Sequence, residues 1–120
     1  MDLTTPVAYE PERKTVFHRD VRKCLKALAV ELGFPPESYD LRSNKAGIAV
    51  SGEITLHHED VYVQVSQSIT GAEILMRHCQ GRKDYTGGPN NFAPITALRD
   101  IPGLALRVRA IMTAKSRAAA

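Results

Sequence analysis

The chain contains no tryptophan, and its three phenylalanines and four tyrosines bring aromatics to only 6% of 120 residues. Its core must therefore be built mainly from Leu, Ile and Val. Cysteine is almost as scarce, with Cys24 and Cys79 alone. A small scaffold held by several disulfides is excluded. Each cysteine lies in an apolar-periodic segment, where a free thiol serves as a small buried hydrophobe. No apolar run approaches the roughly 20 residues that span a bilayer. The opening Met1-Asp2-Leu3-Thr4-Thr5-Pro6 has neither the cationic nor the apolar segment of a secretory leader. These absences predict a reduced, cytoplasmic protein without membrane contact. Cys-x-x-Cys pairs, the P-loop, the dinucleotide fingerprint and the serine-hydrolase elbow are missing too.

The hydrophobic fraction of 43% and the charged fraction of 24% are ordinary for a globular protein. Sixteen Lys and Arg stand against thirteen Asp and Glu, a net charge of +3. So mild a sum makes distribution the informative quantity. Residues 1–12 carry Pro6 and Pro11 without periodicity and are expected to form a flexible arm. Residues 13–117 then make one domain.

Phe17, Val21, Cys24, Leu25, Leu28 and Leu32 recur at helical spacing and predict a helix over 13–32. Gly33 is placed to end it in the left-handed conformation, with Phe34 folding back and Pro35-Pro36 barring continuation. Arg19, Arg22, Lys23 and Lys26 fall on the opposite face, a cationic strip suited to phosphates or to plain solvation. Residues 38–43 alternate weakly through Tyr39 and Leu41. Ile48, Val50, Ile54 and Leu56 alternate strictly and predict a half-buried strand bent at Gly52. Val61, Val63 and Val65 predict its hairpin partner. Residues 73–80 predict a further strand, with Ile74/Met76 and Leu75/Cys79 as alternative core sets. Pro94 opens a short turn through Leu98, and Asp100 and Pro102 mark a last helix to about residue 116.

The resulting class is α+β: an N-terminal helix, a three- or four-stranded antiparallel β-meander and a C-terminal helix, with the helices packed on one face of the sheet. The other face, with Ser51, Glu53, Thr55, Tyr62, Gln64 and Ser66, is expected to be open to solvent or to a partner. In its helix–three strands–helix order the chain is similar to double-stranded-RNA-binding domains. The likeness is topological: Gly88-Pro89 follows the strands instead of lying between the first two, and no lysine cluster opens the last helix. Topology alone assigns no function.

The most specialised stretch runs from His78 to Phe92. Gly87 and Gly88 let a ligand approach the main chain, and consecutive amides there can form an anion nest. Arg82 and Lys83 offer charge to phosphates. Asp84 can accept from a hydroxyl or amino group, Tyr85 can stack on a base, and Asn90 and Asn91 can read hydrogen-bonding edges. The competing reading is a structural loop in which Arg82 and Asp84 pair with each other or with a neighbour. His57-His58-Glu59-Asp60 is a polar hairpin turn whose side chains diverge, so no metal site is assigned. Cys79 and His78 point to opposite sides of a strand, so no catalytic pair is assigned either. No cofactor is implied.

The expectation is a small non-enzymatic binding protein for a nucleotide or nucleic acid, acting through this loop and the basic helix face. The alternative is a protein-binding inhibitor or accessory module, such as a phage or mobile-element protein acting on a host machine. An exposed edge strand would suit a homodimer through sheet extension.

Overall fold

Ile54 and Leu56, from the strictest alternation in the sequence, lie on an inner strand of the sheet. The computed structural model describes residues 11–44, 52–68, 71–84 and 88–119. Its elements are α1 (Pro11–Glu31), β1 (Tyr39–Asn44), β2 (Glu53–His58), β3 (Val61–Ser68), β4 (Gly71–His78), β5 (Asn91–Pro94) and α2 (Ile101–Ala119), with 3₁₀ turns at Pro36–Ser38 and Ile95–Arg99. The strands form one sheet in the order β1-β2-β3-β4-β5, antiparallel throughout. There are thus five strands among the described residues, not three or four, which also departs from the helix–three strands–helix order. The weak alternation around Tyr39 and Leu41 is a true strand. Asn91–Pro94 is a second one, concealed inside the specialised loop because four residues are too few to show a period.

The register aligns the apolar residues in rows. Ile54, Val65, Ile74 and Ala93 lie side by side across four strands, and Leu41, Leu56, Val63 and Met76 form the next row. Ile74 and Met76 are the core pair of β4, while Leu75 faces away. A one-residue slip would send every one of these side chains to the opposite face. The rows join Phe17, Val21, Leu25 and Leu28 of α1 and Leu104, Ala105 and Val108 of α2 in a single core. Both helices therefore cover the same face, α1 over β1 and β2, α2 over β3 and β4.

Helix termination follows the local chemistry. Gly33 takes φ +76°, the Gly33 amide donates to the Val30 carbonyl at 3.0 Å, and the Phe34 amide donates to Ala29 at 2.9 Å. This is the Schellman arrangement, and it ends α1 where the glycine predicts. No basic side chain stands in the last turn of α1. Arg109 of α2 supplies one, donating to the Glu31 carbonyl at 2.6 Å. At the start of α2 the Asp100 carboxylate accepts from the Gly103 amide at 3.1 Å, while Pro102 between them has no N–H to satisfy. A methyl group on Gly103 would run into that carboxylate.

The face away from the helices is less open than its polarity suggests. Thr55, His57 and Tyr62 are buried. Arg77 lies 4.5 Å from the Tyr62 ring centroid, His57 meets the same ring edge-on at 5.0 Å, and the Tyr62 hydroxyl donates to Gln64 at 2.9 Å. Long neighbouring side chains close the centre of this face. Ile48, Val50 and Ser51 lie outside the described residues, as does the arm up to residue 10; Pro11 and Glu12 already belong to α1.

Replacing Asp100 by Ala should remove about 1 kcal/mol of stability and lower Tm by several degrees. Asp100→Ser should recover most of it, because a hydroxyl can accept from the same amide. Thermal unfolding followed by circular dichroism checks both.

Candidate functional site

β4 ends at His78, but its backbone pairing continues onto the β2–β3 turn. The Cys79 amide donates to Asp60 at 3.0 Å and the Gly81 amide to Glu59 at 2.8 Å. The Cys79 thiol, fully buried, donates to the His58 carbonyl at 3.1 Å. Gly81 has φ +120°, a conformation that favours glycine. Its carbonyl oxygen lies 3.0 Å from His57 Nε2 and accepts from the Asp84 amide at 3.2 Å. The Asp84 carboxylate in turn accepts from the Gln80 amide at 2.9 Å.

Arg82 then crosses to β1. Its Nη2 and Nε donate to the two Asp40 carboxylate oxygens at 2.6 and 3.3 Å, and its Nη1 donates to the Glu37 carbonyl at 2.9 Å. This two-pronged contact holds the Asp40 carboxyl below the usual carboxylate range and raises the guanidinium. The chain returns when the Gly88 amide donates to the His78 carbonyl at 3.0 Å. Gly88 rests on the His78 ring with no room for a side chain. Asn91 then donates to the Pro89 and Met76 carbonyls at 3.1 and 3.3 Å. Residues 79–84 are thus a strap, fastened across the end of the sheet to β1.

The loop residues nominated from sequence divide accordingly. Arg82, Asp84, Gly88 and Asn91 are engaged within the fold. Lys83 and Asn90 are exposed, and neither has a hydrogen bond or ion pair among the described residues. Tyr85 and Gly87 lie outside the described residues.

The basic strip of α1 is on the surface. Arg19, Arg22, Lys23 and Lys26 are all exposed. Arg19 leans on Asp20 at 3.4 Å, and Arg22 donates to the Ser43 hydroxyl at 3.3 Å. Lys23 and Lys26 have no partner among the described residues. Two cations of the last helix, which the sequence marks as positive charge near the end of the chain but not as part of this strip, join the helical layer. Arg107 and Arg109 are exposed and donate to the Phe92 and Glu31 carbonyls, neutral acceptors that leave the positive charge uncancelled. The available signal was that residues 101–119 contain no Asp or Glu.

Sequence reading did not foresee a cavity of about 300 Å³, which tertiary contact builds from His78, Pro89, Asn91, Ala110, Ile111 and Ala114. His57 and His58 diverge: His57 meets the strap, while His58 stacks on Phe34 with ring centroids 3.8 Å apart. Among the described residues no three His, Cys, Asp or Glu side chains gather as a metal site would require. No helix among them is long and apolar enough to cross a membrane.

The strap makes acid stability predictable. Burial, the largest influence, depresses the His57 pKa, and Arg42 adds to the effect; the Gly81 hydrogen bond and the Asp40 and Asp84 charges oppose it. The unfolded chain therefore binds a proton at His57 that the folded chain refuses, and stability should fall as pH drops below about 6.5. The Asp40 contribution is full above the normal carboxylate pKa and is lost at still lower pH as Asp40 protonates in the fold. His57→Gln, which keeps a donor for Gly81 but cannot titrate, should flatten the loss near pH 6 and leave the lower one. Arg82→Ala should lower Tm at pH 7, and Asp40→Asn should lower it less than additively in the double variant. Urea denaturation across pH and thermal melts check these. The chain matches no known family model, no curated protein and no solved structure.

Proposed function

We propose that this domain is a non-enzymatic binding protein for a phosphate-bearing polymer, with nucleic acid as the leading class, held on the outer surface of its two helices. One observation carries the reading: charge is segregated by layer. With the buried Lys14 set aside, the α1 and α2 segments hold nine Lys and Arg against three Asp and Glu, whereas the rest of the chain holds six against ten. A net charge of +3 conceals this division. A basic surface lets a polyanion release its condensed counterions on binding.

The strap has a smaller part in this reading. Its guanidinium is matched by Asp40, so a free nucleotide at the loop would lack a bidentate cation. Lys83 and Asn90 are left as edge contacts. A second reading, docking of a protein partner, is favoured by Phe92, which is 50% exposed and stands beside Leu75 on the face away from the helices.

Anisotropy of a labelled oligonucleotide tests the choice. Affinity should fall about 100-fold between roughly 50 and 200 mM salt if about four phosphates are contacted. Lys23→Ala with Lys26→Ala should weaken binding and reduce the salt slope by about 2, with Tm unchanged. No binding at low salt, or a double variant that binds like the parent, would sink the proposal. Retention of a protein through Phe92, insensitive to salt, would favour the second reading.

A further inference from the structure

We infer that the helical surface recognises the phosphate chain alone and does not contact bases, so that its ligand chemistry is a repeating phosphodiester or phosphoanhydride backbone. This rests on the reading above and narrows it.

The first support is what the helical layer omits. The α1 and α2 segments contain no Tyr, Trp, Asn or Gln. Their single Phe and single His, Phe17 and His18, are buried. The layer therefore has no aromatic plane on which an unpaired base could stack. It has no carboxamide to take an adenine edge in two hydrogen bonds.

The second support is how the cations are held. Arginine is the side chain that reads guanine with two parallel bonds. Arg19, Arg22, Arg107 and Arg109 are each tethered, to Asp20, Ser43, Phe92 and Glu31 respectively. The cations without a tether among the described residues of this strip, Lys23 and Lys26, are lysines. A lysine ammonium is a point charge on a flexible stem, which suits phosphate oxygens in any register. Thr113, an exposed hydroxyl on α2, is bonded to the Arg109 carbonyl.

The third support is the position of the side chains that could read or stack. Phe92 lies on the face of the sheet away from the helices, in a row with Leu75, Gln64, Thr55 and Arg42 and next to the row that carries Glu53 and Glu73.

Two sources share this chemistry, a nucleic-acid backbone and inorganic polyphosphate. The full chain is titrated at one salt concentration with a mixed-sequence DNA strand of about twenty nucleotides, an abasic strand of equal length, a duplex, and polyphosphate of about twenty units, all compared per phosphate. Expected are intact and abasic strands within about threefold of each other, displacement of either by polyphosphate, and weakening by Lys23→Ala that is equal for all. Polyphosphate binding far more tightly than every DNA would support the inference and name polyphosphate as the source. Duplex or abasic strand binding as well as intact strand would support it with nucleic acid as the source. An abasic strand and polyphosphate both about 30-fold weaker than the intact strand, with Lys23 dependence kept, would overturn the inference and leave the nucleic-acid reading standing. Binding of none of the four would overturn both.

Discussion

The fold depends on holding Ile54, Leu56, Val63, Val65, Ile74 and Met76 on one side of a twisted sheet. Their alternation with polar residues leaves one permissible register, because a slip by one residue exposes the whole apolar set. Once that face is apolar, both helices must cover it. Two amphipathic helices laid side by side then turn their polar surfaces outward together. The basic layer is thus a by-product of packing, made from two segments separated in the chain by residues 32–100. The same alternation sends His57, Tyr62 and Arg77 to the far side, where they form a second, polar packing layer with the strap.

The strap solves a boundary problem. A five-stranded antiparallel sheet ends in hairpin turns whose carbonyls need donors. The amides of Cys79 and Gly81 supply them at the β2–β3 turn, and Arg82 carries the chain on to the edge strand β1. The chain then returns to place β5 on the other edge. That edge is four residues long and ends in Pro94, which limits its use for pairing with another sheet.

Local signals were the legible ones. Gly33 before Phe34 and Pro35 marked the end of α1 because a Schellman cap uses only neighbouring residues. Asp100 before Pro102 marked the start of α2 for the same reason. The period of two located β2, β3 and β4. It did not resolve which half of β4 faces the core, since both Ile74/Met76 and Leu75/Cys79 are apolar and both sets are at least partly buried. β5 was hidden by its brevity. The loop invited a ligand reading because Arg82, Asp84 and Asn91 are residue types that bind ligands, while their partners are visible only in three dimensions. Asp40 lies 42 residues away from Arg82 in the chain. The structural alternative, in which such residues pair with neighbours, describes Arg82 and Asp84 well. The positive strip of α1 was readable from helical spacing, but its continuation onto α2 needed the two helices to be packed together.

One buried atom gives the chain its own reporter of motion. The Cys79 sulfur is on the inner side of the strap, hydrogen-bonded to the carbonyl of His58 and shielded from water. A thiol reagent can reach it only during excursions in which the strap lifts from the β2–β3 turn, whereas the partly exposed Cys24 on α1 does not lie under that lid. The labelling rate of one cysteine relative to the other is therefore a clock for local opening, read without any added probe and distinct from the unfolding of the whole domain.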